Sequence, residues 1–222
     1  MISTPSRRPW LWFRAGYVWA LTVSFGVAGC AVQTPVPGCD YDRAAIMQLG
    51  ERDFDQPTSP GDGWRGVAAR EGCGLIAADL IRDYRQAHGS RSSLLYWHEA
   101  QLRAMANQVP ESVALMRQSL LDSDPSGWNA YVEATIAFLL GDQRALIEAR
   151  VRLLETPPPR GANVRSLGNG YVELSTATGA VSRRRWPPNL DIVDGLIRCF
   201  GKSYGEAYSS SCRAKPIDSP AG

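Results

Sequence analysis

The chain has 222 residues, 44% hydrophobic and 21% charged, enough for one sizeable core or one repeat array and too few for two comfortable domains. Its formal charge of +2 rests on Arg7, Arg8 and Arg14, which lie in the first 29 residues with no acid; residues 30–222 hold 21 basic against 22 acidic side chains. That nearly neutral body removes the electrostatic support for a nucleic-acid role.

Residues 1–29 fall into three zones: arginines, an apolar run from Ala15 to Ala28, and small residues before Cys30. The apolar run is shorter than the roughly 20 residues of a bilayer span, and no basic stop-transfer cluster follows it, so the segment has the form of an export signal. Val27-Ala28-Gly29-Cys30 resembles the lipobox of bacterial lipoproteins. The resemblance implies cleavage before Cys30, acylation of its thiol and of the new amino terminus, and a membrane anchor. Several acyl chains, at about 0.8 kcal/mol per buried methylene, would make attachment effectively permanent. Ala31 follows the cysteine instead of Asp, which on the same resemblance implies the outer membrane, facing the periplasm. Ser6-Arg7-Arg8-Pro9-Trp10-Leu11 also resembles a twin-arginine signal, leaving both export routes open.

The expected organisation is a signal over 1–29, a lipidated N-terminus and tether over 30–39, and a single helical-repeat domain over 40–222. Asp40 and Asp42 are suited to cap a helix through Leu49 that Gly50 stops, with a loop following to Gly63. A short helix is predicted over Trp64–Arg70, and a longer one over Gly74–Ala87, where Leu75, Ala78 and Tyr84 recur at helical spacing. Between 93 and 155 four helices are predicted in two tandem hairpins: Ser93–Ala106, Pro110–Leu121, Trp128–Leu140 and Asp142–Leu154. Pro110 suits a first helical position, and Gly141-Asp142 supplies a turn and an N-cap.

Aligning Ser112-Val113-Ala114-Leu115-Met116 with Ala145-Leu146-Ile147-Glu148-Ala149 gives an offset of 33 residues. Gly141-Asp142-Gln143-Arg144-Ala145-Leu146 resembles the inter-helix turn and small-residue packing site of the tetratricopeptide family. That likeness covers about sixty residues and implies stacked antiparallel helical hairpins. Ser112 and Arg152 depart from the family, which prefers Ala at both positions, and the first-helix aromatic pattern is incomplete. Phe54-Asp55-Gln56, Gly63-Trp64-Arg65, Trp128-Asn129-Ala130-Tyr131 and Cys199-Phe200-Gly201-Lys202-Ser203-Tyr204 are also similar to a group of bacterial helical-repeat proteins of unassigned function. Only architecture is taken from that likeness.

Thr156-Pro157-Pro158-Pro159 cannot continue a helix. Tyr171–Ser175 and Ala180–Arg183 have the pattern of a small β-hairpin or an irregular loop. Asn189 is then expected to cap a helix over Leu190–Phe200, favoured by Asp191 and Asp194 in its first turn, before a last short helix over Tyr204–Ser209.

With Cys30 assigned to lipid, Cys39, Cys73, Cys199 and Cys212 remain, an even number for an oxidising compartment. Three pairings are open. Cys39 with Cys73 and Cys199 with Cys212 is favoured, since each joins sequence neighbours across a helical turnaround, at roughly 3 kcal/mol per bridge. A thiolate metal site is disfavoured because no C-x-x-C occurs, and no metal or cofactor is expected.

Catalysis needs a poised base or nucleophile, and His88 and His98 are the only histidines. His98, beside Trp97, is expected at a core edge or surface; His88, before Gly89, is expected to meet a helix C-terminus. Asp53 and Asp55 are two residues apart and are expected to be solvated. Trp64, Trp97 and Trp128 are expected in the core. Arg183, Arg184, Arg185 and Trp186 form the one concentrated charge feature, suited to lipid phosphate, glycan or an acidic partner.

The composite expectation is a non-enzymatic, lipid-anchored periplasmic scaffold or assembly factor of the cell envelope, bound to the membrane through Cys30 and engaging a protein partner through its repeats. A narrower version is an immunity lipoprotein neutralising a toxin delivered into the periplasm. The reading of a different class is an envelope hydrolase acting on peptidoglycan or glycan, for which Asp55 and His98 would be the residues to substitute.

Overall fold

A computed structural model describes residues 38–59, 61–168, 170–176 and 179–213. The expected signal, the Cys30 lipidation site and the tether up to residue 37 lie outside these residues. Helix α1 (Arg43–Met47) begins where the Asp42 carboxylate accepts from the Ala45 amide at 2.9 Å. Gly50 does not end the helical region as expected; it is the N-cap of a second helix, α2 (Glu51–Asp55). Glu51 and Asp53 in its first turn favour that start, and Phe54, fully buried, fixes it to the core.

Helices α3 (Gly63–Ala68) and α4 (Gly74–His88) follow, the latter closed by Gly89 at φ 60°, a left-handed position that suits glycine. All four helices predicted between 93 and 155 form: α5 (Ser93–Met105), α6 (Val109–Gln118), α7 (Trp128–Leu139) and α8 (Gln143–Leu154). Asp142 caps α8 by accepting from the Ala145 amide at 2.9 Å. Each helix from α3 to α8 packs on the next in sequence.

After the prolines the chain forms an antiparallel meander of β1 (Ala162–Gly168), β2 (Tyr171–Thr176) and β3 (Val181–Arg185), in that order. The expected hairpin is therefore the β2–β3 half of a three-stranded sheet. β1 lacks a sustained period-2 pattern because the register shifts between Ser166 and Gly168, which breaks the alternation. Three short helices end the described chain: α9 (Leu190–Arg198), α10 (Tyr204–Tyr208) and α11 (Ser210–Arg213).

Asn189 stands at the N-cap of α9 as expected, its carbonyl accepting from the Val193 amide at 3.1 Å, but it adopts φ 63° and makes no side-chain cap. Asp194 is buried and paired with Arg150 of α8 at 2.5 Å, so it joins two helices and does not serve the first turn of α9.

The core has two apolar clusters that meet at α5. Leu95 belongs to the N-terminal cluster with Phe54, Trp64, Leu80, Ile81 and Tyr84. Trp97, Ala100 and Ala104, on another face of the same helix, belong to the larger cluster with Tyr131, Leu146, Val193 and Tyr204. Trp64 and Trp97 are buried and Trp128 half-buried against that larger cluster. The chain also folds back: α9 packs on α7 and α8, and α10 on α5, where Gln101 Nε2 donates to the Tyr204 hydroxyl at 3.3 Å.

The cysteines pair as favoured. Cys39 joins Cys73 with Cα atoms 5.6 Å apart, and Cys199 joins Cys212 at 6.0 Å. The first holds the segment before α1 to the start of α4; the second ties the end of α9 to α11.

Candidate functional site

The cluster closest to chemistry forms around Asp55, and a glycine makes it. Gly63 has φ 58°, and a Cβ there would overlap the carbonyl of Phe54, so only glycine lets α3 begin directly against the last turn of α2. That close approach sets Trp64 and Arg65 beside Asp55. The Trp64 indole N–H donates to Asp55 Oδ1 at 2.8 Å, and Arg65 Nε donates to the Asp55 carbonyl at 2.6 Å. Gln56 Nε2 donates to Oδ2 at 3.1 Å. From α5, His98 Nδ1 lies 2.7 Å from Oδ1.

Burial acts to raise the Asp55 pKa, but the hydrogen bonds from His98, Trp64 and Gln56 outweigh it, and the carboxyl sits below its ordinary value. An ionised carboxylate only accepts, so His98 Nδ1 carries the proton. His98 Nε2 faces Arg65 Nη2 at 3.3 Å, and a guanidinium only donates, so Nε2 accepts. The neutral Nδ1–H tautomer satisfies both contacts. The Arg65 guanidinium meanwhile stacks over the Trp64 ring with its carbon 4.3 Å from the centroid.

A carboxylate orienting an imidazole is the arrangement of a general base and its support. Here, however, the distal nitrogen that would take a proton has its lone pair directed at Arg65. The geometry is that of a buried polar clasp joining α2, α3 and α5. Asp55 is therefore not solvated as expected from sequence. Asp53 is exposed on α2 and faces a groove of about 540 Å³ shared with Tyr41, Asp42, Ile46 and Arg70, so the two aspartates do not converge.

His88 does sit in the last turn of α4 as expected, and it also stacks on Tyr84 with ring centroids 4.2 Å apart while its Nε2 lies 2.9 Å from the Met47 carbonyl.

A second polar layer was not legible as such. Glu99 of α5 is buried and accepts from Arg103 at 2.9 Å and from Arg85 of α4; Arg103 also reaches Asp79 at 2.9 Å. Arg85 stacks on Tyr96. The Glu99–Arg103 spacing of four on one helix is a sequence signal for an ion pair, but the same spacing is commonest on solvated faces. Only the packing of α4 onto α5 buries it.

The arginine run lies on the sheet. Arg183 and Arg185 share one face of β3, with Tyr171, Glu173 and Arg165 in register on β2 and β1; Arg184 points to the other face. Glu173 takes Arg165 on one carboxylate oxygen at 2.7 Å and Arg183 on the other at 2.9 Å, and these two hydrogen bonds hold its carboxyl below the usual range. Arg185 stacks over Tyr171, 4.8 Å from its centroid. Trp186 takes a different part: it is half-buried, and its indole N–H donates to the Thr156 carbonyl at 3.2 Å, pinning the end of β3 to the end of α8.

Comparison with family models, characterised proteins and solved structures finds no match.

Proposed function

We propose that this chain is a lipid-anchored envelope protein that binds a protein partner through the outer side of a tetratricopeptide-like helical stack and carries out no chemistry of its own. The observation that carries the binding role is the two-sided character of α8. Leu146, Ala149 and Leu153 point into the core, while Ile147, Val151 and Leu154, at spacings of four and three, are 46%, 48% and 45% exposed. A surface helix ordinarily presents polar groups away from the core, and an outward apolar stripe of this kind fits a recognition ridge.

The location of that stripe follows from the return of the C-terminal helices. α9 packs on both α7 and α8, and α10 packs on α5, so the returning helices cover part of both hairpins. On α8 the side that meets α9 is covered, and the edge bearing Ile147, Val151 and Leu154 is exposed, which supports a binding surface there and not in the concave groove usual for stacked hairpins.

Two further features support the rest of the reading. The pairing of Cys39 with Cys73 and of Cys199 with Cys212 leaves Cys30 without a cysteine partner in its own chain, as lipidation at the lipobox requires. The Asp55–His98 pair, the best candidate for chemistry, spends its distal nitrogen on Arg65. The cell-envelope scaffold role and the immunity role both use the same ridge.

The test is crosslinking of the anchored protein in intact envelopes, comparing the native chain with Ile147→Asp/Val151→Asp. Recovery of one stoichiometric partner from the native chain and its loss from the variant is the expected result. Turnover of sacculi by the purified protein, abolished by His98→Ala, would replace this reading with a hydrolase.

A further inference from the structure

Charge in this protein is segregated along the sequence. Residues 157–188, which hold the sheet, carry five arginines and one glutamate, whereas the rest of the chain from residue 30 onward carries 16 basic and 21 acidic side chains. An acidic body with one basic insert has a field pointed at a surface of opposite sign.

The sheet brings three of those arginines and the glutamate onto one face. Arg165, Glu173 and Arg183 stand in a row across the three strands, and the single carboxylate is shared by both guanidiniums, so the row keeps a net positive charge. Arg165 and Arg183 are about two-thirds exposed. Arg185 lies beside them over the Tyr171 ring. The same face also bears exposed apolar groups: Val181 is 60% exposed and Tyr171 42%. Arginines interleaved with an aromatic and an outward aliphatic side chain are the composition of a lipid–water interface, where guanidiniums meet phosphates and apolar groups enter between headgroups.

We propose that this face of the sheet docks on the membrane surface, binding the phosphates of anionic phospholipids through Arg165, Arg183 and Arg185. The proposal rests on the anchored reading given above, for a reason of distance. Eight residues separate Cys30 from Cys39, a span of at most about 30 Å when fully extended. A domain tethered so closely meets headgroups at high effective concentration, so a weak contact suffices. Lipid attachment at the N-terminal end and the sheet pinned through Trp186 to the end of α8 would then hold the stack at two points, fixing which way the α8 ridge faces.

Binding is measured with the unlipidated chain, residues 30–222 carrying Cys30→Ser, of which Pro35–Gly222 is a compact unit by itself. It is floated with vesicles of phosphatidylethanolamine and phosphatidylglycerol, and with vesicles of phosphatidylcholine alone. The expected result is salt-sensitive binding to the first and none to the second. Arg183→Ala/Arg185→Ala weakens it about 30-fold, at about 1 kcal/mol per arginine near an anionic surface. Val181→Asp, which leaves the arginines in place, weakens it as well.

All three positions are exposed, so unchanged thermal unfolding checks that the variants fold. Equal binding to neutral vesicles, no binding to anionic ones, or a double variant that binds like the parent overturns the proposal; so does capture of an acidic protein by the arginines without vesicle binding. Failure of the anchored reading appears separately, as a native protein that takes up no labelled fatty acid in cells.

Discussion

His98 Nδ1 lies 2.7 Å from Asp55 Oδ1 across 43 positions of sequence, and this contact joins the start of the chain to its first long hairpin. Removing the carboxylate leaves the Trp64 indole N–H and His98 Nδ1 without their partner inside the clasp, while the hydrogen bond from Arg65 to the Asp55 carbonyl stays. Asp55→Ala is expected to cost about 3 kcal/mol, the scale for orphaning buried groups that met a charge. Urea unfolding with the disulfides intact measures it; a loss below about 1 kcal/mol would show that the clasp is not structural.

The same carboxylate sets an acid limit. Its folded pKa lies below its unfolded value of about 3.9, so the unfolded state takes up a proton first as pH falls. Its stabilisation is fully present above about pH 4 and is lost as pH drops through the folded value. Asp124 is also held low: burial acts to raise it, but amide hydrogen bonds from Asn129 and Ser126 outweigh that, and it contributes in the same direction. Melting temperature against pH should fall below about pH 4, and Asp55→Asn should have a shallower acid limb than the native chain. Parallel limbs would refute the assignment to Asp55.

The two disulfides should contribute unequally. Cys39–Cys73 closes a separation of 34 residues and Cys199–Cys212 one of 13. Loop-closure entropy gives about 4 and about 3 kcal/mol respectively. Cys39→Ser/Cys73→Ser should therefore be the less stable double variant in equilibrium urea unfolding, and the reverse order would point to native-state effects at the C-terminal bridge.

Adjacent residues on α8 offer a contrast. Leu146 is fully buried and Ile147 is not. Leu146→Ala should cost about 2–5 kcal/mol through lost burial and a cavity. Ile147→Ala should stay within about 1 kcal/mol of the parent while weakening partner capture. If Ile147→Ala proves as destabilising as Leu146→Ala, the stripe belongs to the core and the recognition ridge is lost.

The helices from α3 to α8 were legible because their signals are local. Gly89 ends α4, Asp142 caps α8, and apolar residues recur at helical spacing between them. The clasp was not legible, since Asp53-Phe54-Asp55 in isolation gives no sign that one aspartate faces solvent and the other the core. α2 is not evident from sequence because Gly50 serves equally as a stop and as a start, and the burial of Phe54, a tertiary event, decides between them. β1 was missed because a register shift removed the alternation that identifies strands.

The sequence by itself determined the existence of the helices from α3 to α8, the favoured cysteine partners and the concentration of arginine near residue 184, because capping, spacing and charge are properties of neighbouring residues. The tertiary structure alone decided that Asp55 meets His98, that Glu99 and Arg103 are buried, and that Arg165 joins Arg183 while Trp186 turns to Thr156. Those contacts join segments distant in sequence or face directions that only packing sets, and the desolvation that gives a charged group its role exists only once the helices and strands have come together.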